Sequence, residues 1–278
     1  KKTNKIIIKK VNCFATPSFL RNFSAPVKMI NDLTNEELLR ILEFDDDNYN
    51  KWDASQNLYL NCFNENSVSQ FIEVIEELLK NNKLNKSILA LILKPPSNEM
   101  FEQSKNISDP LEIYFTRKKY LQDFFKKIEK NLLNVVLDII KTNYEKEVLI
   151  DNRLLLSIIL PYLCSIKNYQ AYNIASNFCK SKTMEIKIIG LNCFIKNGHQ
   201  DSIKHLSNFY DNFSSDKLVI EKWFGMMASF NPENNRSLDF IKNLLKHKKF
   251  DYKNPNKVRS VLGTFQKNNI ELFHAYDE

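Results

Sequence analysis

The chain has 278 residues, of which 43% are hydrophobic and 26% are charged, and its 40 basic and 33 acidic side chains give a formal net charge of +7. This composition is typical of a soluble globular protein and excludes an intrinsically disordered or collagen-like chain. No run of about 18 apolar residues occurs, so the sequence predicts neither a membrane-spanning helix nor a membrane partner.

The chain is poor in glycine, with four residues of this type, whereas average usage of about 7% would give on the order of twenty. Glycine-rich phosphate-binding loops need several glycines within one turn, and the four glycines here are far apart. Tight-turn β architectures also consume glycine. We therefore expect helices joined by short polar turns.

The first thirty residues differ in pattern from the remainder. Lys5 to Phe14 begins with three consecutive isoleucines and predicts one or two strands, and Phe19 to Val27 predicts a connecting strand or extended arm. A lone hairpin is not stable in water. We therefore interpret residues 1–30 as the end of a small β-sandwich domain whose other strands lie upstream.

From Thr34 onward the apolar residues recur with helical spacing, and Thr34 to Glu37 has the pattern of a capping box. Since no strand signals interrupt the series and stacked helix pairs bury such faces, we predict a mostly α fold for residues 31–278. It is a helical-repeat α-solenoid of the HEAT or armadillo kind, preceded by the short β segment. After the first helix, the predicted helical segments are Trp52–Phe63, Val68–Leu79, Lys86–Leu93, Leu111–Tyr144, Asn152–Ile166, Ala171–Cys179, Met184–Ile195, Ser202–Tyr210, Leu218–Phe230, Leu238–His247 and Val258–Phe265.

The basic residues are spread along the chain, and the densest groups lie on amphipathic segments: Arg117-Lys118-Lys119, Lys126-Lys127 and Lys246 to Lys249. These groups are either solvated helix faces or part of a phosphate-binding face. Nucleic-acid-binding proteins concentrate positive charge on one face. The dispersion therefore favours solvated faces and predicts no nucleic-acid partner.

The five cysteines are odd in number, and no pair has CxxC spacing. They lie among apolar residues, where a thiol behaves as a small buried hydrophobic group. We expect free thiols in a reducing compartment and, since no secretory segment is visible, a cytoplasmic protein. The chain begins at Lys1 without an initiator methionine, so we expect further sequence upstream.

No arrangement of residues predicts catalysis by itself. A zinc enzyme needs three protein ligands, but none of the four histidines has a partner histidine at i+4, and HExxH is absent. The GxSxG motif of serine hydrolases is also absent. Each histidine is therefore interpreted as a core or surface residue, and no catalytic residue, metal ligand or cofactor site is assigned to this chain.

Several short sequence words are too particular to follow from composition. They are Phe23-Ser24-Ala25-Pro26-Val27-Lys28, Lys51-Trp52-Asp53-Ala54-Ser55-Gln56, Pro96-Ser97-Asn98-Glu99-Met100, Asp109-Pro110, Lys222-Trp223-Phe224, His247 to Phe250, Asn254-Pro255-Asn256-Lys257-Val258-Arg259-Ser260, Gly263-Thr264-Phe265 and Phe273-His274-Ala275. In this order and spacing, from about Phe19 to Asp277, they resemble the bacterial aminopeptidase N branch of the M1 family of zinc metallopeptidases.

The resemblance implies a parent enzyme that removes N-terminal residues from peptides, with Zn and the catalytic residues in an upstream domain. This chain would supply the end of its β-sandwich domain (1–30) and most of its C-terminal helical domain (31–278), which is incomplete at its C-terminal end. We expect it to be inactive alone, monomeric, and partnered by the catalytic domain of its own parent polypeptide. There it would help to enclose the cavity that admits peptide substrates.

The resemblance also suggests two substrate-binding residues, because a cationic lining suits the free carboxylate of a short peptide. Arg259 is the first candidate and Lys257, which stands where the family has arginine, is the second. The alternative is that Arg259 pairs with a nearby acid and holds two helices together. Asn254 and Pro255 have a local explanation as the cap and first residue of a helix, and Trp52 and Trp223 are expected to be core residues.

A second class of function stays open at this point. The chain is either the non-catalytic helical domain of a metallopeptidase or an independent helical-repeat scaffold that binds a protein partner through its concave face. The predicted β segment favours the first, because a free-standing scaffold has no reason to begin inside a β-sandwich.

Overall fold

The computed structural model describes residues 7, 12–27, 29–65, 67–81, 84–105, 109–141, 150–231 and 238–274. After a short 3-10 turn at Arg21–Phe23, every regular element in these ranges is helical. The elements are α1 (Asn35–Phe44), α2 (Asn48–Glu65), α3 (Ser69–Lys80), α4 (Lys86–Leu93), α5 (Asn98–Gln103), α6 (Pro110–Lys127), α7 (Glu129–Lys141), α8 (Ile150–Ser165), α9 (Tyr169–Cys179), α10 (Met184–Ile195), α11 (Ser202–Phe213), α12 (Val219–Ser229), α13 (Asp239–Leu245), α14 (Pro255–Val258), a π-helical turn (Arg259–Gly263), α15 (Thr264–Asn268) and α16 (Ile270–Phe273).

Polar caps fix where several of these helices begin. The capping box at α1 is confirmed, since the amide of Glu37 donates to Thr34 Oγ1 at 3.3 Å and the amide of Thr34 donates to Glu37 Oε2 at 2.8 Å. Asp109 caps α6 with proline at the first helical position, and Asn168 caps α9. These caps satisfy backbone donors that have no intrahelical partner.

The predicted helical stretch from Leu111 to Tyr144 divides into two helices, α6 and α7, at the buried Ile128. No glycine or proline marks this break in the sequence, so the helical pattern continues through it. The last three residues of the predicted stretch, 142–144, lie outside the described part of the chain.

Helix pairs stack in chain order and bury two apolar cores. The first core involves side chains from Leu38 to Phe194, and the second involves side chains from Leu191 to Leu272. Helix α8 contacts both α4 and α10, α9 packs on α10, and near the end of the described chain α16 contacts α6. This is the helical-repeat architecture that the periodicity predicts. Among the described helices, none combines the length and the apolar character that crossing a membrane requires.

Helix α10 is shared by the two cores. It contributes Ile186, Ile189, Cys193 and Phe194 to the first core and Leu191 and Ile195 to the second. A helix that is apolar on all sides must be buried on all sides. The two halves of the array are therefore joined through the packing of α10.

Gly190 allows α10 to approach α9 closely. A Cβ atom at this position would lie 2.6 Å from the carbonyl oxygen of Ala175 and 2.7 Å from the amide nitrogen of Cys179. Both atoms belong to the backbone of α9 or its end, so neither can turn away. Only glycine fits at this crossing.

We predict that Gly190→Ala lowers the free energy of unfolding by about 2 to 3 kcal/mol, because the added methyl group overpacks a backbone contact. Gly225→Ala is the matched control: its Cβ would make ordinary contacts at 3.6 Å with Ser260. Because alanine is favoured over glycine in a helix interior, Gly225→Ala should leave the free energy of unfolding unchanged or raise it by up to about 1 kcal/mol. Equilibrium urea denaturation followed by circular dichroism checks both values. Equal effects at the two sites would contradict the proposed role of Gly190.

The word Lys51 to Gln56 on α2 has a structural function. The buried ammonium group of Lys51 donates to the carbonyl oxygens of Leu42 at 2.7 Å and Glu43 at 2.9 Å, which closes the C-terminal end of α1. Gln56 Nε2 donates to the carbonyl oxygen of Lys94 at 3.0 Å and so holds the end of α4. Lysine at a helix C-terminus also interacts favourably with the helix dipole.

The predicted short β segment is not confirmed. Residues 12–27 contain no strand, and the proposed arm from Phe19 to Val27 contains the 3-10 turn instead, with left-handed backbone at Leu20, Asn22 and Phe23 (φ between 48° and 54°). No second strand is present in the described chain to satisfy the backbone of an extended segment, and a lone strand is unstable. Of the predicted strand from Lys5 to Phe14, positions 5, 6 and 8–11 lie outside the described residues. The assignment of 1–30 to a β-sandwich domain stays a prediction.

Side chains of the α1–α2 connection hold this N-terminal segment in place. Arg21 forms ion pairs with Asp45, at 3.0 Å, and with Asp46, and the amide of Asn22 donates to Asp47 Oδ2 at 2.7 Å. Hydrogen bonding to Arg21 lowers the pKa of Asp46. The segment is therefore attached by polar contacts rather than by β pairing.

The five thiols are free, and three of them (Cys62, Cys164 and Cys193) are buried as expected. Burial raises the pKa of Cys62 to about 11 and that of Cys179 to about 12, so both are unreactive thiols at neutral pH. Cys13 is exposed, contrary to the expectation for all five, because the segment around it is not packed against either core.

Candidate functional site

The sequence-predicted site begins with a well-formed helix start. Asn254 Oδ1 accepts hydrogen bonds from the amides of Asn256 at 2.9 Å and Lys257 at 3.4 Å, and Pro255 occupies the first helical position. Proline fits there because its missing N–H would have no partner in any case. The local explanation of this word is therefore confirmed.

The chain then passes into a π-helical turn from Arg259 to Gly263. Such turns are rare, and they are frequently found at functional sites. The turn packs on α12, where Gly225 lies close to the carbonyl oxygen of Ser260. The turn that carries Arg259 is therefore packed against a helix on one side.

Arg259 is exposed, and it has no ion pair with any acidic group among the residues that the structure describes. In this part of the chain, Arg259 therefore has no acidic partner through which it could hold two helices together. A guanidinium group in this state can donate two parallel hydrogen bonds to a carboxylate.

Lys257 has a different environment. It is half-buried, and its ammonium group donates to the carbonyl oxygen of Lys249 at 2.7 Å. Lys249 in turn donates to the carbonyl oxygen of Ser214 and lies over the ring of Tyr210, 5.8 Å from its centroid. These bonds connect α14 to the segment after α13 and to the end of α11. The structure therefore gives Lys257 a packing function and does not bring its ammonium group to a free surface.

The rings of His247 and Trp223 pack against each other. Trp223 is buried, and its Nε1 donates to the carbonyl oxygen of Leu206 at 3.1 Å. The ring of His247 lies within 5.5 Å of the rings of Tyr210, Trp223 and Phe224, and its Nδ1 accepts from the amide of Lys249 at 3.2 Å. Burial lowers the pKa of His247, and the charges of Lys248 and Lys249 lower it further. The histidine is therefore neutral at physiological pH and serves as a packing group.

In the ranges that the structure describes, no group of three or more His, Cys, Asp or Glu side chains is placed to hold a metal ion. His199 Nδ1 accepts from the backbone amide of Asp201 at 3.1 Å and lies 3.7 Å from the Oδ2 of the same residue, so this contact joins two residues of one turn.

Arg117 differs from the solvated helix face that the sequence predicts for its basic triplet. Lys118, Lys119, Lys126 and Lys127 are exposed as solvated helix residues, but Arg117 is turned inward, and its Nη2 donates to the carbonyl oxygen of Pro96 at 2.7 Å. The signal was present in the helical spacing, because positions 113, 117, 121 and 124 share one face of α6 and the other three are buried and apolar. The basic triplet therefore contains one inward-facing residue and two solvated ones.

Comparison with known proteins gives matches along nearly the whole chain. Residues 35–278 match the family described as "Domain of unknown function (DUF3458_C) ARM repeats". The chain is 28% identical over 270 residues to aminopeptidase N of Haemophilus influenzae, with coverage of 93% of this chain and 31% of that protein. It is 26% identical over 279 residues to aminopeptidase N of Escherichia coli, with coverage of 94% and 31%. The chain thus spans 31% of the length of these two curated relatives.

A solved structure shows the same fold. The chain is similar to part of the aminopeptidase A of Legionella pneumophila, which was crystallised in complex with aspartic acid. The TM-score is 0.77 at 23% identity, with coverage of 90% of this chain and 31% of that chain. This likeness concerns the helical array as a whole.

Proposed function

The chain belongs to the DUF3458_C family of ARM-repeat domains, and from that membership we propose that it is the C-terminal helical domain of an M1-type zinc aminopeptidase. In the parent enzyme it helps to enclose the cavity in which peptides lose their N-terminal residues. The observation that carries the proposal is the match of more than nine-tenths of the chain to 31% of two aminopeptidase N sequences.

Zn is the metal of the parent enzyme in this proposal, and the residues of this chain do not fit it. The described residues include no ligand cluster, and the sequence has no HExxH motif. The metal and its chemistry therefore belong to the catalytic domain of the parent polypeptide, and that domain is the main partner of this chain. A cytoplasmic location and a monomeric state stay predictions.

In this proposal the helical array encloses the peptide and supplies a positive charge that binds it. A stack of helix pairs forms a curved wall, and a wall around an active site excludes folded proteins while short peptides diffuse in. Arg259 on its π-helical turn is the substrate-binding residue in this proposal, and Lys257 supports the turn. Arg259 would bind the free carboxylate of a short peptide through two parallel hydrogen bonds.

We predict that the gene-length protein binds zinc, hydrolyses an aminoacyl-arylamide and cleaves short peptides but not the N-terminus of a folded protein. Metal analysis and activity assays on the purified gene-length protein check this. A gene-length protein that is free of zinc and inert would contradict the proposal. The chain would then be a helical-repeat scaffold, whose protein partner could be sought by pull-down.

A second prediction concerns Arg259 in the gene-length enzyme. For Arg259→Ala we expect the ratio of kcat/KM for a tripeptide to kcat/KM for an aminoacyl-arylamide to fall about tenfold, because only the tripeptide has a carboxylate to bind. Arg259→Lys keeps the charge but loses the paired donors and should restore part of the ratio. Lys253→Ala, an exposed cation six residues earlier, is the control. An unchanged ratio in Arg259→Ala would exclude this function for Arg259.

A further inference from the structure

A cavity of about 230 Å³ lies between the end of α9, one face of α10 and the start of α11. Buried Leu191 and Phe209 line it together with exposed Lys180 and Lys204, so it opens to solvent above an apolar base. Pockets for drug-sized ligands measure roughly 300 to 1,000 Å³. The cavity therefore has room for a small ligand.

Helical spacing explains why these side chains meet at one place. On α10 the lining residues Lys187 and Leu191 are four positions apart, and on α11 the lining residues Lys204 and Asn208 are also four apart. Residues with this spacing lie one above the other on the same face of a helix. Each of the two helices thus turns one face toward the cavity, and α9 contributes its C-terminal end.

Three lysines line this cavity, one from each helix, and we name it the lysine cavity. Lys180 is the C-terminal cap of α9, and Lys204 lies in the first turn of α11. Lys187 on α10 is half-buried, with its Nζ 5.6 Å from the ring centroid of Phe213. Among the described residues, no acidic group forms an ion pair with any of the three.

Two further titratable residues of the lining determine its net charge. Asp201 is the one acidic residue that the described lining contains, and its Oδ2 lies 3.7 Å from His199 Nδ1. Burial lowers the pKa of half-buried His205; Asp201 opposes this, and Lys204, His199 and Lys180 lower the pKa further. Because His205 is then neutral at neutral pH, three lysines and one aspartate give the lining a formal charge of +2.

A small cavity with this charge is complementary to a small dianion. A cleft lined by one sign of charge raises the local concentration of the opposite ion. A carboxylate is matched best by the planar fork of arginine, whereas lysines act as point charges that suit phosphate, and the described lining contains no arginine. A phosphate group also has three strong acceptor oxygens, one for each of the three lysines.

We propose that the lysine cavity binds a phosphate dianion, either inorganic phosphate or the phosphate of a small monoester. The bound anion would join α9, α10 and α11 through Lys180, Lys187 and Lys204. Since α10 belongs to both cores, occupation of the cavity stabilises the helix junction on which both halves of the array pack. A ligand that binds only the folded state raises its stability.

The test is isothermal titration of the gene-length protein with inorganic phosphate, glycerol 3-phosphate and acetate. All titrations are made at one ionic strength, set with sodium chloride, because salt screens exposed charges. The variants are Lys187→Gln, Lys204→Gln and Asp201→Asn. Lys182→Gln is the matched control, since Lys182 is an exposed lysine of the same region that does not line the cavity.

We expect Lys187→Gln and Lys204→Gln each to weaken phosphate binding about tenfold, as loss of a charge-assisted hydrogen bond does. Asp201→Asn should strengthen it about threefold, because an exposed like charge is removed. Lys182→Gln should change it less than about twofold, as an exposed charge outside the site does. Acetate should bind at least about tenfold more weakly than phosphate, since it has one charge and two oxygens. The tighter of the two phosphate ligands identifies the source as the free ion or the monoester.

The proposal would be overturned by a protein that binds neither phosphate ligand, or whose phosphate binding is unchanged in both lysine variants. Acetate binding as tight as phosphate binding, or an equal loss in Lys182→Gln, would also overturn it. The gain expected for Asp201→Asn cannot arise from a damaged fold, so the test holds even if a lysine variant is unstable. The readout is binding and does not depend on whether the gene-length protein is a peptidase.

Discussion

The crossing of α9 and α10 at Gly190 is the contact on which the rest of the array depends. Here the backbone of one helix lies where a side chain would otherwise be, with an ideal Cβ only 2.6 Å from a carbonyl oxygen of the other. Helix α10 contributes side chains on one face to the first core and side chains on the other face to the second core. Because α8 packs on both α4 and α10, a shift of α10 would move both halves of the array relative to each other.

This packing also determines where charge is placed. Lys94 and Lys196 are the C-terminal caps of α4 and α10, which both pack on α8, and Arg117 lies on α6, which also contacts α8. Favourable interactions with helix C-termini explain part of the arrangement, and the buried, unpaired Nε of Arg117 is not explained by them. Arg259 is exposed on the π-helical turn, which packs on α12 of the second core.

The sequence predicts most of the helices, because apolar periodicity and caps are local signals. Met184–Ile195 and Lys86–Leu93 begin and end as predicted, and the capping box at Thr34 is present. The break at Ile128 and the conformation of residues 19–27 were not predicted, since tertiary contacts rather than local sequence decide both. Within the candidate site, the helix start at Asn254 was predictable from its capping residues. The hydrogen bonds of Lys257 to the carbonyl oxygen of Lys249 and of Arg117 to that of Pro96 join different segments of the chain, so local sequence could not predict them.

The central claim is that this array forms the wall of an enclosed cavity in its parent protein, and size-selective labelling tests it most directly. In the gene-length protein, Arg259→Cys would be treated with N-ethylmaleimide or with a maleimide on a polyethylene glycol chain of protein size, and modification at that residue would be measured by peptide mass spectrometry. Lys119→Cys, on the opposite face of α6 from Arg117, is the reference. We predict that the small reagent modifies both positions and the large reagent modifies position 119 alone. Equal modification of both positions by the large reagent would contradict it.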